Sequence, residues 1–347
     1  MHSLATHVIL STTPFFSPIY LAVTIIRSTF TCKKDTFMDN KKQPLIAHLC
    51  MLCAGSFWGL MAPIGKDAMQ NGIDGFHLVS FRVLGGAILF WLTSLFAKKE
   101  HVPVKDILML GCAGLFALVF NQCCYTIGLN ITSPSNSSIM TTSMPIFAMI
   151  LSFLILKEPI TWKKAAGVLI GCTGAIIIIT TSATAGNAKV GNIWGDLLCV
   201  SAQLSFALYL ALFKPLVQKY SLFTVNKWMF TWATLLIWPF TFGHIMDINF
   251  ATLPKSTWWE TGFVIFFGTY LAYICMMMGQ KTLRPTVVSV YNYVQPIVSV
   301  SVSVAVGLAV FKSTQAIAAA LIFSGVWLVV KSKSKHDMNI NKEKTNC

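Results

Sequence analysis

This chain of 347 residues has few charged residues: only 11% are Asp, Glu, Lys or Arg, whereas 55% are hydrophobic. A soluble domain averages about 25% charged residues, which cover its water-facing surface. The chain lacks the charge for such a surface, and this excludes a water-soluble globular fold. Its mean hydropathy of +0.67 instead predicts an integral membrane protein.

Acidic residues are scarce, and none of the twelve falls in the middle of an apolar run. They occupy predicted tails, loops and span ends, and His48 and His77 are similarly peripheral. Without an embedded group of Asp, Glu or His, the sequence offers no centre for metal-assisted hydrolysis, acid–base catalysis or proton relay. We therefore predict no enzyme activity, no metal site and no cofactor.

The sequence also predicts neither an extramembrane domain nor disulfide bonds. No connection between apolar runs exceeds about 18 residues, so no soluble domain fits between them. Eight of the ten cysteines lie inside apolar runs, where cysteine behaves as a small apolar residue. The Cys50-x2-Cys53 pair has no second pair to complete a metal site.

Apolar runs long enough to cross about 30 Å of hydrocarbon recur through the chain. They do not alternate apolar with polar residues, so helices are favoured over barrel strands. Ten helices are predicted, at 45–65, 76–97, 107–128, 136–156, 165–181, 194–213, 221–243, 259–279, 286–310 and 314–330. A further apolar run at 8–26 is interrupted by Pro14 and Pro18. It is open to two interpretations: an eleventh span, or a segment upstream of a translation start at Met38.

A sequence pattern repeats at an offset of 151 positions. The matched pairs are Gly128/Gly279, Pro134/Pro285, Pro145/Pro296 and Gly174/Gly325. Each half holds five predicted helices, an odd number, so the second half enters the membrane in the opposite orientation. The predicted fold is an all-α integral membrane protein with ten transmembrane helices in two inverted five-helix repeats. Its parts are an N-terminal segment 1–43, repeat 1 at 44–182, repeat 2 at 192–331 and a basic tail at 332–347.

The net charge of +14 is distributed unevenly between the two faces of the predicted bundle. From Met38 onward, seventeen Lys and Arg residues fall in the termini and loops of one face and four in the loops of the other. The positive-inside rule then places both termini in the cytoplasm. The charge is explained by topology, so we predict the lipid bilayer, and not nucleic acid, as partner.

Several polar and kinked positions inside the spans are candidates for a solute pathway. Arg82 and Lys227 are cations within spans, which either attract an anionic solute or snorkel to the interface. Pro145 and Pro296 interrupt spans four and nine at equivalent places, and we expect both to face the centre. The candidate pathway residues are Trp58, Arg82, Asn121, Tyr125, Pro145, Gln203, Tyr209, Tyr270, Tyr273, Tyr291, Asn292, Gln295 and Pro296. Together they predict a cavity of amides, hydroxyls and aromatic faces that suits a small, partly apolar organic solute, such as a carboxylate.

Four motifs resemble one family: Phe57-Trp58-Gly59, Phe81-Arg82, Pro145 with Lys157-Glu158-Pro159-Ile160, and Gly195-Asp196-Leu197-Leu198. They are similar to the drug/metabolite transporter superfamily of the EamA type, over about residues 44–331. The resemblance implies a carrier of the bacterial inner membrane, often an exporter of amino acids or related metabolites, with a central cavity between the repeats. From the inverted repeats we predict that this carrier works by alternating access. The chain departs from this family pattern at one place: Ala309 occupies the position of the second repeat that is equivalent to Glu158 of the first. The difference weighs against a symmetric gating role for Glu158.

Three other functions compete with this interpretation. A phosphate-sugar or organic-anion exchanger would need Lys and Arg converging on the cavity. A membrane-embedded enzyme would need buried acid–base groups, and a receptor would need larger loops. The sequence does not fix an oligomeric state, and a homodimer is one alternative.

Overall fold

The computed structural model describes residues 43–132, 140–183, 193–246, 248, 253–305 and 313–332. None of these residues forms a strand, and nearly all are helical. The apolar run at 8–26, Pro134 and the basic tail lie outside the described residues.

The described part of the chain contains ten membrane helices, as predicted. They are α1 (Gln43–Gln70), α2 (Gly75–Ser94), α3 (Val104–Ile131), α4 (Met144–Leu156), α5 (Trp162–Ala183), α6 (Ile193–Leu212), α7 (Leu222–Met246), α8 (Lys255–Thr282), α9 (Pro285–Val290, Tyr291–Tyr293 and Val294–Ala305) and α10 (Ser313–Val330). A short helix, Lys214–Lys219, connects α6 to α7. By length and hydropathy alone, five of the ten could each cross a membrane: α1, α2, α3, α6 and α8. The first helix runs five residues beyond its predicted end at 65.

The repeat extends to the irregularities of the helices. Helix α3 changes from α-helix to π-helix over Leu115–Phe120 and back again, and α8 does the same over Phe266–Leu271. Every one of these boundaries is displaced by 151 residues between the two helices. We call these segments π-turn 1 and π-turn 2. Single π-helical turns are rare and are frequent at functional sites.

The two predicted proline kinks are breaks in the helices. Pro145 lies in the first turn of α4, directly after a turn at Thr142 and Ser143. Pro296 follows the 3-10 segment Tyr291–Tyr293 within α9. Proline has no N–H and its ring crowds the carbonyl four residues earlier, so the helical ladder cannot continue through these points. Those earlier residues are Thr141 and Asn292, which are equivalent in the repeat.

Most of the packing joins one repeat to the other: α1 packs against α8 and α9, α2 against α7, α6 against α3 and α4, and α5 against α10. At the α5–α10 crossing, a Cβ on Gly167 would be 2.7 Å from the backbone oxygen of Gly325. A Cβ on Gly325 would be 2.6 Å from the oxygen of Gly167. Only glycine permits this backbone approach at both positions. The core therefore lies between the repeats.

At the predicted cytoplasmic end, polar contacts also connect the repeats. Asp106 at the start of α3 accepts hydrogen bonds from Lys219 and from the hydroxyl of Tyr220. Glu100 accepts the backbone N–H of Ser221 at 2.9 Å. The bond to Asp106 raises the pKa of Lys219 above its usual value. These contacts hold the loop before α3 to the start of α7.

Candidate functional site: a cavity between the repeats

A cavity of about 90 Å³ lies between the two repeats. It is lined by Trp58, Met61, Arg82, Asn121, Gln122, Tyr125, Thr141, Gln203, Phe206, Tyr273, Asn292 and Gln295. The lining comes from α1, α2, α3, α6, α8 and α9, together with Thr141, which precedes α4. Binding pockets for drug-sized molecules measure about 300–1,000 Å³, so this cavity suits a small solute.

Eight of the thirteen predicted pathway residues lie in this lining: Trp58, Arg82, Asn121, Tyr125, Gln203, Tyr273, Asn292 and Gln295. Four lining residues were not predicted: Met61, Gln122, Thr141 and Phe206. The repeat could have identified two of them, because Gln122 is equivalent to the predicted residue Tyr273 and Thr141 to the predicted residue Asn292. Met61 and Phe206 have ordinary apolar side chains, and the sequence does not distinguish them from packing residues.

The other five predicted residues lie outside the lining. Tyr209 is fully buried and donates a hydrogen bond to Oε1 of Gln280 at 2.9 Å. The ring centroid of Tyr270 lies 4.9 Å from that of Phe90. The hydroxyl of Tyr291 is 2.7 Å from Nδ1 of His48. Pro145 and Pro296 shape the helix breaks, while Thr141 and Asn292, one turn earlier, reach the cavity.

Arg82 supplies the positive charge of the cavity. The N-cap residue Asp74 fixes the start of α2 by accepting the backbone N–H of His77 at 2.8 Å. Arg82 lies seven residues, about 10 Å, along this helix from Gly75. Its side chain is only 6% exposed, and its Nε donates to Oγ1 of Thr269 at 3.0 Å. The three ion pairs among the described residues do not involve Arg82, and its cavity contains no Asp or Glu.

Lys227 has a different environment from Arg82. Its ammonium nitrogen lies 4.6 Å from the centre of one ring of Trp91 and 5.7 Å from that of Trp228. Such cation–π contacts stabilise a cation at the face of an aromatic ring. Lys227 does not line the cavity, so the structure supports the structural interpretation for this residue and separates the two cations.

Amide side chains form much of the polar lining. The amide nitrogen of Gln295 is 3.1 Å from Oδ1 of Asn292, as expected for residues three apart on one helix face. Asn121 donates its amide N–H to the backbone oxygen of Ala202 at 2.9 Å. Gln122 donates to the hydroxyl of Tyr273 at 3.3 Å, and its buried Oε1 has no partner among the described residues. Gln122 and Tyr273 are equivalent in the repeat, so they meet near its pseudo-symmetry axis.

Three aromatic rings form the apolar side of the cavity. The ring of Trp58 is edge-on to Phe206, with centroids 6.4 Å apart, and to Tyr273, with centroids 6.1 Å apart. Its Nε1 donates to the backbone oxygen of Gly268 at 3.1 Å. Edge-to-face contacts fix ring orientation, and the indole hydrogen bond adds a second constraint on Trp58.

Ten helices in two inverted repeats around a central cavity define a membrane transporter of small solutes. The chain belongs to the EamA-like transporter family, whose sequence profile matches residues 45–180 and 193–331. It is therefore a multi-pass membrane protein with one family match in each repeat.

Individual relatives support the same assignment. The chain is 28% identical to the uncharacterized transporter YyaM of Bacillus subtilis, over 66% of this chain and 74% of that protein. It is 22% identical to YetK of the same organism, over 85% and 90%. It is 23% identical to the S-adenosylmethionine uptake transporter of Rickettsia bellii, over 49% and 59%. A solved structure with 19% identity has a similar fold, with a TM-score of 0.67 over 81% of this chain and 95% of that chain.

Proposed function

We propose that this protein is an alternating-access carrier that exports a small organic solute bearing a carboxylate across the bacterial inner membrane. The observation that carries the proposal is Arg82, a buried cation in a cavity whose lining, among the described residues, contains no acidic side chain. A charge inside the membrane is costly unless it is paired or hydrated. A carboxylate on the solute supplies the missing negative charge, and the guanidinium can bind it with two parallel hydrogen bonds.

The rest of the lining complements a partly apolar body with a few polar groups. Trp58, Phe206 and Tyr273 contact the apolar part, while Asn292 and Gln295 hydrogen-bond to its polar groups. Because the lining supplies no negative charge, any cationic group of the solute would contact aromatic faces and amide oxygens. The transport cycle uses binding and conformational change, with no covalent chemistry.

A phosphate-sugar exchanger fits the cavity less well. A phosphate monoester carries a charge of about −1.5 to −2 at neutral pH. Arg82 is the one cation in the lining that the structure describes, since Lys227 packs on tryptophan rings. One guanidinium balances a carboxylate and leaves much of a phosphate charge unneutralised. The carboxylate is therefore the better match.

Flux into proteoliposomes tests the solute class. We expect carboxylates such as phenylacetate or L-leucine to be taken up saturably, and the uncharged phenylacetamide or cationic L-leucinamide to compete poorly. Arg82→Met should abolish that preference, and Arg82→Lys should retain part of it. Competition by glucose 6-phosphate but not by carboxylates would instead favour the exchanger. Wild-type flux in Arg82→Met would contradict the role of Arg82.

The direction of transport has an independent test. The resemblance implies export, whereas the Rickettsia relative is named for uptake. Overproduction of an exporter should protect bacterial cells against toxic amino-acid analogues, and a deletion should sensitise them. Sensitisation by overproduction would overturn export while leaving the carrier assignment intact.

A further inference from the structure

The two π-turns accept hydrogen bonds across the interface between the repeats. A helix that widens to a π-turn changes its own hydrogen-bond ladder, so side chains from neighbouring helices can reach its backbone groups. In π-turn 1, the oxygen of Phe116 accepts from the hydroxyl of Ser205 at 2.7 Å, and that of Ala117 from the hydroxyl of Tyr273 at 3.3 Å. Both donors belong to repeat 2.

Two cavity-lining side chains of repeat 1 donate to π-turn 2, one to a backbone oxygen and the other to a side chain. Trp58 donates to the backbone oxygen of Gly268, and Arg82 donates to the hydroxyl of the next residue, Thr269. Thr269 is fully buried, and its hydroxyl donates to the backbone oxygen of Val264, five residues earlier, at 3.0 Å. The hydroxyl of Thr269 thus connects the wide turn of α8 to the guanidinium of Arg82.

The equivalent positions in the other half have no such polar pair. Thr269 corresponds to Leu118 at the offset of 151. In the second helix of each half the N-caps set an offset of 147 instead. The side chain of Asp74 accepts the N–H of His77, and that of Ser221 accepts the N–H of Thr224. Arg82 lies eight residues beyond Asp74 and Met229 eight beyond Ser221, so these two residues are equivalent. Leu118 and Met229 are both fully buried and apolar. The fold therefore does not require a hydrogen bond at this place.

We propose that Thr269 is a positioning residue that holds the guanidinium of Arg82 toward the cavity and thereby sets the preference for a carboxylate over an uncharged solute. This inference rests on the proposed function of Arg82. An arginine side chain has several rotatable bonds, and fixing its Nε leaves the two terminal nitrogens to present a planar fork. Without the hydroxyl, the side chain of Arg82 would have to be ordered when the solute binds. That ordering costs conformational entropy and lowers the affinity for the carboxylate.

The test uses three threonine variants of the full-length protein purified in detergent. Thr269→Val removes the hydroxyl at nearly constant volume, and Thr269→Ser restores it. Thr261→Val is the matched control, because Thr261 is a buried threonine two turns earlier on α8 that does not line the cavity. Ligand-dependent thermal stabilisation gives a dissociation constant for phenylacetate and for phenylacetamide with each protein.

We expect Thr269→Val to reduce the preference for phenylacetate over phenylacetamide about tenfold, the size typical of one lost charge-assisted hydrogen bond. Thr269→Ser should recover the preference to within about threefold, and Thr261→Val should leave it unchanged. A packing defect would weaken both ligands equally, so an unchanged ratio in Thr269→Val overturns the inference.

Arg82→Met distinguishes the role of Arg82 in binding from the role of Thr269 in positioning. If this variant loses the preference and Thr269→Val keeps it, Arg82 binds the solute and Thr269 does not position it. If Arg82→Met keeps the preference, the anion site itself is wrong, and the role of Thr269 is wrong with it.

Discussion

The two π-turns occupy equivalent positions in the repeat and differ in their side chains. Both interrupt their helices at equivalent positions, and both accept hydrogen bonds from the other repeat. Yet π-turn 2 presents Thr269 to Arg82, whereas π-turn 1 places Leu118 at the position equivalent to Thr269, and Met229 is equivalent to Arg82. The comparison shows that the inverted repeat supplies backbone shape, while the chemistry of the site lies in residues where the halves differ.

The helix breaks before Pro145 and Pro296 likewise share their positions in the repeat but differ in their side chains. The break in repeat 1 brings Thr141 and Met144 toward the centre, and the break in repeat 2 brings Asn292 and Gln295. An asymmetric solute needs different groups at its two ends. Variants that make one half resemble the other therefore test the comparison directly.

The largest effect is expected when Arg82 is replaced by its counterpart, methionine. Arg82→Met should lower carboxylate flux about 100-fold, because losing one partner of a buried charge pair costs about 2–5 kcal/mol. The protein should still fold, since the equivalent position in repeat 2 buries a methionine, Met229. Initial rates in proteoliposomes, with circular dichroism as the folding control, measure this. Normal flux would show that the two halves do not differ in function at this position.

A smaller effect is expected from Asn292→Thr combined with Gln295→Met, which gives the break in repeat 2 the side chains of repeat 1. Loss of two hydrogen bonds of about 1 kcal/mol each should lower flux about 30-fold. The Asn292→Ala, Gln295→Ala double variant should show a comparable loss. Unchanged flux for every transported solute in the alanine variant would contradict the central position of these amides in the site.

Trp58→Phe should have a moderate effect. The ring remains, but the hydrogen bond to Gly268 in π-turn 2 is lost, which corresponds to about 1 kcal/mol or fivefold in solute affinity. Equilibrium binding of phenylacetate measures it. Because Phe206 also packs edge-on to Trp58, Phe206→Leu is the companion variant that weakens the ring contact while retaining the indole N–H.

The smallest effect on transport is expected for Lys227→Met. Its ammonium packs on Trp91 and Trp228 away from the cavity, so flux should stay within about twofold of wild type, while loss of the cation–π contact lowers stability by about 0.5–1 kcal/mol. Flux and thermal melting of the same preparation distinguish the two outcomes. A flux loss as large as that of Arg82→Met would place Lys227 on the solute pathway.

The sequence predicted the ten helices because apolar length and charge alternation are set by the bilayer. It also predicted much of the lining, since amides and aromatic residues inside apolar runs are unusual. It could not reveal the π-turns, because one extra residue in a turn leaves no signal in an uninterrupted apolar run. The sequence does not distinguish Tyr273 from Tyr209, Tyr270 and Tyr291, because all four are tyrosines inside apolar runs. Only the packing of the helices shows that Tyr273 lines the cavity and the other three do not. The role of Thr269 depends on Arg82, 187 residues away.

The glycine contact between α5 and α10 has a mechanical consequence. At Gly167 and Gly325 the backbones of the two repeats touch, with no side chain between them to compress or rearrange. Sliding along this line would force a bulkier neighbour, such as Leu328 or Val329, against a bare main chain. A tilt of one half against the other at this crossing would therefore disturb fewer side-chain contacts than a slide along it.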